Sequence, residues 1–540
     1  MDGHDGETGL RGDLEWGTIP NLLRDAARRF GDTEAIVDGD ARLSFTTLAA
    51  TVDEVARAFI AAGVEPGDRV AIWSPNIHEW VVSLLGLQSA GAAVVPMNTR
   101  YKGTEAAYIL RTSRAKVLVT VHGFLGNDYV AMLDGHELPD LEQVVVLRGE
   151  VPAGERPYRM RSAADFFADG ADVDPAVVDE RVAALGPDDL ADILFTSGTT
   201  GNPKGVLSTH GAALRAFADW ANVVGLRHDD RYLVINPFFH AFGYKAGIVA
   251  ALTVGATIVP QAVFDIPTAM AMVAEHRITM IPGPPAIYQT FLNHPDLDLE
   301  ALASLRLAVT GAAAIPVSLV ADMRSKLGFE TVITGYGLTE ACGIATMCRH
   351  EDDDETIATT SGRAIPGVEV LVVDDDGNEV PRGEPGEVVV RGYNVMQGYF
   401  EDPEQTTEAI DADGWLHTGD IGTMDERGYL KITDRKKDMY IVNGFNAYPA
   451  EIESLLLAHP HIAQVAVVGV PDQRMGEVGV AFVVAATGTT PDPDEIITWA
   501  KGNMANYKVP ARVEVVDELP MNPSNKVLKF QLRDRAVAGT

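Results

Sequence analysis

The ten residues 196–205, which read TSGTTGNPKG, limit most strongly what this chain can fold into. They offer four hydroxyls, three glycines and one lysine, and the apolar run Ile193-Leu194-Phe195 before them predicts a short buried strand. Glycines let backbone N–H groups approach an anion, hydroxyls add donors and lysine adds positive charge. The segment therefore predicts a phosphate-binding loop, with an ordinary Ser/Thr/Gly turn as the alternative. It is not a Walker A loop, because Lys204 is not preceded by Gly and followed by Ser or Thr.

Strand and helix patterns alternate along the first two thirds of the chain. A strand pattern at 69–73 precedes a helix pattern at 77–90 and a further strand at 93–97. This recurrence predicts parallel sheets with helices on their faces. A second unit of the same kind spans about 192–348. The stretch 149–187, rich in Pro, Gly and Asp, predicts a surface connection.

The sequence pattern changes after residue 351, where short strands and turns predict a small β-barrel or sandwich at about 351–434. Its aspartate cluster 374–377 predicts a hairpin turn rather than a calcium loop, because further loop ligands are missing. We expect an α/β fold with an N-terminal domain, 1–434, of two parallel-sheet α/β subdomains plus this barrel. A small, mobile α+β domain, 435–540, follows.

Charge and composition exclude several functions. The net charge of the 540 residues is −34, which opposes nucleic-acid or anionic-membrane binding. Two cysteines, Cys342 and Cys348, exclude a disulfide scaffold and favour a reducing, cytoplasmic compartment. The start of the chain lacks signal-peptide character, and no apolar stretch is long enough for an integral membrane segment. The oligomeric state stays open, with a homodimer as one possibility.

Two further motifs carry groups that suit a nucleotide and an acid. The segment 236–243 combines three aromatic residues with His240, which is typical of an apolar pocket but equally of an aromatic core with a satisfied histidine. In 335–340, the ring of Tyr336 can stack on adenine, Thr339 can donate to phosphate, and the Glu340 carboxylate can bind Mg²⁺. A turn without function is the alternative for this segment.

These motifs together resemble the acyl-adenylate-forming superfamily, over nearly the whole chain. The resemblance implies that the loop binds ATP phosphates, that His240 and Phe242 line the acyl pocket, and that small residues pack on adenine beside Tyr336. It places Thr339 on the α-phosphate and Glu340, with Thr196, on Mg²⁺. The implied ATP- and AMP-binding residues are Thr196, Ser197, Gly198, Thr199, Thr200, Gly201, Lys204, Gly311, Ala312, Ala313, Gly335, Tyr336, Gly337, Thr339, Asp420, Arg435 and Lys526.

The resemblance also assigns roles within the C-terminal part. Asp420 and Arg435 hold the ribose, and Lys526 bridges the carboxylate and the α-phosphate as charge develops. Lys526 follows Asn525 where the family usually has glycine, and Asn tolerates positive φ better than most residues. Lys437 corresponds to the hinge of the mobile domain. The thiol-entry segment, where coenzyme A approaches, contains Asn443, Gly444, Phe445 and Asn446.

The implied activity is an ATP-dependent, AMP-forming ligation of a small-molecule carboxylic acid to coenzyme A through an acyl-adenylate, with Mg²⁺. The predicted acyl pocket contains His240, Phe242, Tyr244, Lys245, Gly311 and Gly337. A lysine beside such a pocket suggests a polar or oxygenated acid, unless Lys245 points to solvent.

Several stretches resemble one bacterial branch of the superfamily that activates a steroid-derived hexahydroindanedione propanoate. A medium-chain fatty acid or an aryl acid is the alternative substrate. Loading of a carrier protein and nucleotide binding without catalysis are the alternative functions.

Overall fold

The computed structural model describes residues 16–196, 203–295, 297–311, 315–435, 438–442, 445–472, 475–504, 506–522 and 526–538. For residues 435, 445 and 446 only the backbone is described. By its contacts the chain divides into two compact units. The first comprises Met1–Val370 with Val390–Leu416, and the second comprises Leu371–Val389 with His417–Thr540. No helix within the described residues is long and apolar enough to cross a membrane.

An eight-stranded sheet of the first unit carries the two strands that flank the predicted phosphate loop. Its order is Gly398–Tyr399, Lys204–Thr209, Leu190–Thr196, Ala93–Pro96, Arg69–Trp73, Val117–Thr120, Gln143–Val146 and Arg159–Ser162. The six strands from Leu190–Thr196 onward in this order run parallel. The strand Lys204–Thr209 pairs antiparallel with Gly398–Tyr399 on one side and with Leu190–Thr196 on the other. The two strands that flank the predicted loop are therefore partners in one antiparallel pair.

A nine-stranded sheet forms the second layered body of this unit. Its order is Arg363–Ala364, Thr346–Met347, Thr331–Tyr336, Leu307–Thr310, Met280–Pro282, Arg231–Val234, Thr257–Pro260, Glu34–Asp38 and Ala41–Ser44. Its central strands pair in parallel. Parallel strands need helical crossovers, which is why the helix and strand patterns alternate along the sequence.

The helices of the first unit are Ile19–Phe30, Phe45–Ala61, His78–Ser89, Gly103–Ser113, Ala163–Asp169, Pro175–Ala184, His210–Val224, Ala241–Tyr244, Ala250–Val254, Ile266–His276, Pro285–Leu292, Val317–Ser325, Asp354–Thr359 and Pro403–Ala409. A π-helical turn, Lys245–Val249, connects two of them. Several begin where the sequence places a cap. The side chain of Ser44, for example, accepts a hydrogen bond from the N–H of Thr47 at 3.1 Å.

A smaller four-stranded sheet contains Val368–Val373, Gly386–Gly392, Leu416–Met424 and Leu430–Arg435. The aspartate cluster lies in a hairpin turn, as expected. The Asp374 carboxylate accepts hydrogen bonds from the N–H groups of Asp376 and Asn378 at 3.0 and 2.9 Å. Its Oδ1 therefore closes the turn, in the manner of an Asx turn.

The second unit contains a five-stranded sheet with helices on both faces. The strands are Phe445–Ala447, Tyr440–Val442, Gly476–Ala485, Ile462–Asp472 and Arg512–Val515. One face packs on the helices Pro449–Leu456 and Pro493–Asn503, and the other packs on Lys529–Ala538. Alternate residues of a strand point to opposite faces, so Val467 and Val468 belong to the two different cores.

The α/β prediction is confirmed, but one expectation about the first unit is wrong. The stretch 149–187 is not only a surface connection, because it contains the edge strand Arg159–Ser162 and two helices. Ser162 and Asp174 cap those helices. The Pro and Asp residues that suggested a loop are thus partly helix-start residues.

Candidate active site

The flanking strands fix the two ends of the phosphate loop. Thr196 and Lys204 lie directly opposite each other in the antiparallel pair, and both are half-buried. Gly205 follows at a crowded point, where a Cβ atom would lie 2.8 Å from Ile193 Cγ2. A side chain there would push the strands apart, so the glycine is required for close packing. Ser197, Gly198, Thr199, Thr200 and Gly201 lie outside the described residues.

Lys204 is held by residues that the sequence did not single out. Its ammonium donates a hydrogen bond to Gln405 Oε1 and lies 4.8 Å from the ring centroid of Tyr399. A cation over an aromatic face is attracted by the ring quadrupole. The lysine is therefore oriented by neutral partners.

Glu340 stands on a short turn, Thr339–Ala341, which follows the strand Thr331–Tyr336. Its half-buried carboxylate accepts a hydrogen bond from the Tyr399 hydroxyl at 3.1 Å. Burial, reinforced by the nearby Glu340 charge, raises the pKa of Tyr399 above its ordinary value. The phenol is thus protonated near neutral pH and acts as the donor.

The predicted adenine site brings together the ends of two parallel strands. Leu307–Thr310 and Thr331–Tyr336 are neighbours in the nine-stranded sheet. A Cβ atom on Gly311 would lie 3.3 Å from the carbonyl oxygen of Gly335. Tyr336 is half-buried and Gly337 is exposed beside them. Ala312 and Ala313 lie outside the described residues.

The residues predicted for the acyl pocket separate into two groups. His240 caps the helix Ala241–Tyr244 and is exposed, while Phe242 is half-buried, with its ring edge against Trp220. Tyr244 is fully buried, and its hydroxyl accepts a hydrogen bond from Gln88 Nε2 at 3.1 Å. Successive residues of a helix face different directions. Of these three residues, only His240 and Phe242 are therefore open to a ligand.

The structure differs from the expectation for Lys245. It does not point to solvent, because its side chain is 0% exposed. Its ammonium lies 3.1 Å from Asp192 Oδ2, 2.9 Å from Ser208 Oγ and 3.4 Å from Cys342 Sγ. Burial alone would lower the pKa of Lys245, but the Asp192 carboxylate raises it above its ordinary value. Its polar contacts are to the protein, which removes the argument for a polar acid.

In the second unit the structure pairs the two predicted ribose residues. Asp420 and Arg435 lie opposite each other on the antiparallel strands Leu416–Met424 and Leu430–Arg435. Asp420 is buried, and its N–H donates to Thr418 Oγ1 at 3.1 Å. The Arg435 side chain lies outside the described residues.

Lys526 lies before the last helix, Lys529–Ala538, and is joined to Asn522; we call the segment 522–526 the Lys526 turn. Its N–H donates to Asn522 Oδ1 and its carbonyl accepts from the Asn522 N–H, both at 2.8 Å. The lysine is exposed. Three residues later, Lys529 pairs with Glu453 at 2.8 Å, so the end of the turn is anchored to the helix Pro449–Leu456.

The remaining predicted residues belong to the hinge and to the thiol-entry segment. Lys437, Asn443 and Gly444 lie outside the described residues, and only the backbone of Phe445 and Asn446 is described, in a short edge strand.

Comparisons with known proteins agree with these motifs. A family model described as AMP-binding enzyme matches residues 23–400, and one described as AMP-binding enzyme C-terminal domain matches 451–526. The chain belongs to the AMP-binding enzyme family. This confirms the predicted superfamily and the predicted class of enzyme, an ATP-dependent, AMP-forming acyl-CoA ligase.

Two curated members of the AMP-binding enzyme family are similar along nearly the whole chain. Both are named 3-[(3aS,4S,7aS)-7a-methyl-1,5-dioxo-octahydro-1H-inden-4-yl]propanoyl:CoA ligase. The protein from Rhodococcus jostii is 51% identical over 521 residues, which cover 96% of this chain and 98% of the relative. The protein from Mycobacterium tuberculosis is 51% identical over 517 residues, with the same coverage of 96% and 98%.

A solved structure of a CoA ligase with a bound acyl-AMP has a similar fold. The anthranilate CoA ligase AuaEII in complex with anthranoyl-AMP superposes with a TM-score of 0.83 at 29% identity, covering 98% of this chain and 99% of that chain. This likeness supports ATP, coenzyme A and a small-molecule acid as substrates.

Proposed function

We propose that this member of the AMP-binding enzyme family ligates coenzyme A to the bicyclic propanoate named for its relatives, a hexahydroindanedione propanoate. The observation that carries the substrate is the 51% identity over 96% of the chain to two ligases with that printed name. The buried position of Lys245 contributes nothing to this assignment.

In the first half-reaction a carboxylate oxygen of the acid attacks the α-phosphorus of ATP. The new O–P bond forms as the bond to pyrophosphate breaks, and an acyl-adenylate results. Lys204 and the loop hydroxyls bind the phosphates, Tyr336 stacks on adenine, and Asp420 and Arg435 hold the ribose. Lys526 places a positive charge where the carboxylate meets the α-phosphate, and thereby lowers the repulsion between two anions.

The residues at Glu340 fit a magnesium ion. Mg²⁺ prefers hard oxygen ligands and usually takes one or two protein carboxylates together with phosphate oxygens. Glu340 offers a half-buried carboxylate, and the residue before it, Thr339, offers a hydroxyl. We assign the Thr196 hydroxyl to the same site. Bound there, Mg²⁺ would screen the charge of the triphosphate.

In the second half-reaction the coenzyme A thiol loses its proton to water as its sulfur attacks the acyl carbon, and AMP leaves with the electron pair of the broken C–O bond. We assign thiol entry to Asn443, Gly444, Phe445 and Asn446. We place the domain boundary at residue 434 and the hinge at Lys437, so that one domain rotation separates the half-reactions. The cytoplasmic location and the homodimer stay predictions.

A pyrophosphate-release screen tests the proposal. The panel contains ATP, Mg²⁺ and coenzyme A with straight-chain, aryl and bicyclic propanoic acids, and Lys526→Ala serves as the control. We expect strong preference for the bicyclic acid. Preference for a straight-chain or aryl acid would retain the ligase and overturn the substrate. Acyl-AMP that is released without acyl-CoA would favour a carrier-loading enzyme, and no turnover of any acid would favour a non-catalytic protein.

A further inference from the structure

One side chain that no motif predicted contacts two residues of the candidate site. Tyr399 donates its hydroxyl hydrogen to Glu340 Oε1 at 3.1 Å, and its ring lies 4.8 Å from the Lys204 ammonium. The proposed metal ligand and the proposed phosphate ligand thus share a single phenol.

The backbone around Tyr399 joins the same two parts of the site. The N–H of Met396 donates to the carbonyl of Glu340 at 2.9 Å. On the other side, the N–H groups of Gln397 and Phe400 donate to Leu207 and Gly205 at 3.0 and 2.7 Å. The segment 396–400 therefore connects the strand that leaves the phosphate loop to the turn that carries Glu340.

The position of the phenol is itself closely determined. The N–H of Tyr399 donates to Thr406 Oγ1 at 2.9 Å. A Cβ atom on Gly398, whose φ is +144°, would lie 2.8 Å from Thr406 Cγ2, so only glycine permits this approach. The same helix, Pro403–Ala409, supplies Gln405 to Lys204.

We propose that Tyr399 is a positioning residue for the magnesium site, holding the Glu340 carboxylate and the Lys204 ammonium in place before ATP binds. The hydrogen bond uses one carboxylate oxygen and leaves the second for a cation. A direct ion pair between Lys204 and Glu340 would neutralise both groups. The phenol instead gives each a partner without net charge. The inference rests on the proposed function, because it takes Glu340 as the metal ligand.

Tyr393 offers a matched control. It is half-buried in the same unit, its hydroxyl donates to Asp219 Oδ2 at 2.9 Å, and the Arg215 guanidinium lies 4.0 Å from its ring centroid. Tyr393→Phe therefore removes the same atom from the same kind of contact, outside the predicted site. A general loss of stability would affect both variants.

The test is Mn²⁺ binding, followed by electron paramagnetic resonance, with a non-hydrolysable α,β-methylene analogue of ATP present. We expect Tyr399→Phe to raise the Mn²⁺ dissociation constant about tenfold or more, which is typical when an outer-shell partner of a metal ligand is removed. Tyr393→Phe should leave it unchanged within about twofold. Equal binding by Tyr399→Phe and the unsubstituted protein would overturn the inference. Absence of Mn²⁺ binding by the unsubstituted protein would instead overturn the metal assignment in the proposed function.

Kinetics and a second substitution separate positioning from damage to the fold. In Tyr399→Phe the Mg²⁺ concentration for half-maximal pyrophosphate release should rise about tenfold, and kcat should recover at saturating Mg²⁺. A kcat reduced at every Mg²⁺ concentration would overturn the positioning role. In a Glu340→Gln background the loss of the hydroxyl should add no further weakening, because the two groups act through one contact. If the effects of Tyr399→Phe and Glu340→Gln were instead fully additive, that result would also contradict the proposal.

Discussion

Two lysine–carboxylate pairs lie behind predicted catalytic segments, one in each unit, and they differ in burial. The pair Lys245–Asp192 supports the strands of the phosphate loop and has both side chains 0% exposed at 3.1 Å. The pair Lys529–Glu453 follows the Lys526 turn and has side chains 18% and 19% exposed at 2.8 Å. Contact with water is the main difference between them.

The surroundings of the two pairs differ accordingly. Lys245 also contacts Ser208 and Cys342, and its pair connects the strand before the loop, the strand after it, the helix after His240 and the turn after Glu340. Glu453 has a second donor in the N–H of Val467, at 2.7 Å. A desolvated pair depends on both partners, whereas a pair in contact with water can be rearranged at lower cost. The pair Lys245–Asp192 thus holds the strands of the first unit rigidly, whereas the pair Lys529–Glu453 can rearrange behind the Lys526 turn.

The largest expected effect is on the fully buried pair. Lys245→Met leaves Asp192 without its cation in the interior and should lower the free energy of unfolding by about 3–5 kcal/mol. Lys245→Met/Asp192→Leu should recover at least about half of that loss. Five of the six tryptophans lie in the first unit, so tryptophan fluorescence during urea unfolding reports mainly on it. A double variant less stable than the single would contradict this description.

The second-largest expected effect concerns His210, a buried histidine of the first unit. Burial lowers the pKa of His210 from 6.5 to about 4, and its Nδ1 accepts a hydrogen bond from the Ile19 N–H at 3.4 Å. A lowered pKa means that the unfolded chain binds the proton more readily. The contribution of the neutral His210 to the free energy of unfolding is therefore complete above pH 6.5, and it is lost as the pH falls to about 4. It amounts to about 3 kcal/mol. His210→Gln should remove this part of the pH dependence, and an unchanged slope would contradict the assignment.

A smaller effect is expected at the half-buried pair. Burial raises the pKa of Glu453, and Lys529 opposes that rise. Lys529→Met should lower the free energy of unfolding of the second unit by about 1–2 kcal/mol. The loss should shrink as pH falls through the Glu453 titration, because a protonated carboxyl group needs no cation. Hydrogen exchange of peptides from 449–456 would measure it, and a loss as large as that of Lys245→Met would remove the proposed contrast.

The smallest effect belongs to a pair on the surface. Lys326 and Asp322, one helical turn apart at 2.9 Å, have side chains 59% and 37% exposed. Lys326→Gln should change the free energy of unfolding by about 0.3 kcal/mol. Urea unfolding of this variant calibrates the series, and a loss above about 1 kcal/mol would show that exposure does not set the order.

The sequence predicts those features of the fold that depend on residues close together along the chain. The strands beside the phosphate loop and the cap at Ser44 follow from periodicity and residue type, and the structure agrees. The stretch 149–187 differs from the prediction because Pro and Asp begin helices as well as loops.

The errors at the site have a different cause. The partners of Lys245 lie 37 to 97 residues away, and no local pattern reveals them. Tyr399 is likewise 59 residues from Glu340, and a single tyrosine in a two-residue strand carries no chemical signature. Local patterns predicted the segments of the site, but only the tertiary structure shows which side chains hold them.

Separating the two half-reactions tests most directly whether Lys526 serves the first of them. Lys526→Ala is assayed for pyrophosphate formation with ATP and the bicyclic acid, and separately for acyl transfer to coenzyme A from acyl-adenylate supplied ready-made. We expect pyrophosphate formation to fall at least about 100-fold, because a charge aimed at the transition state is lost. The transfer should stay within about threefold of the unsubstituted protein. Equal loss in both assays, or loss in neither, would contradict the proposed role.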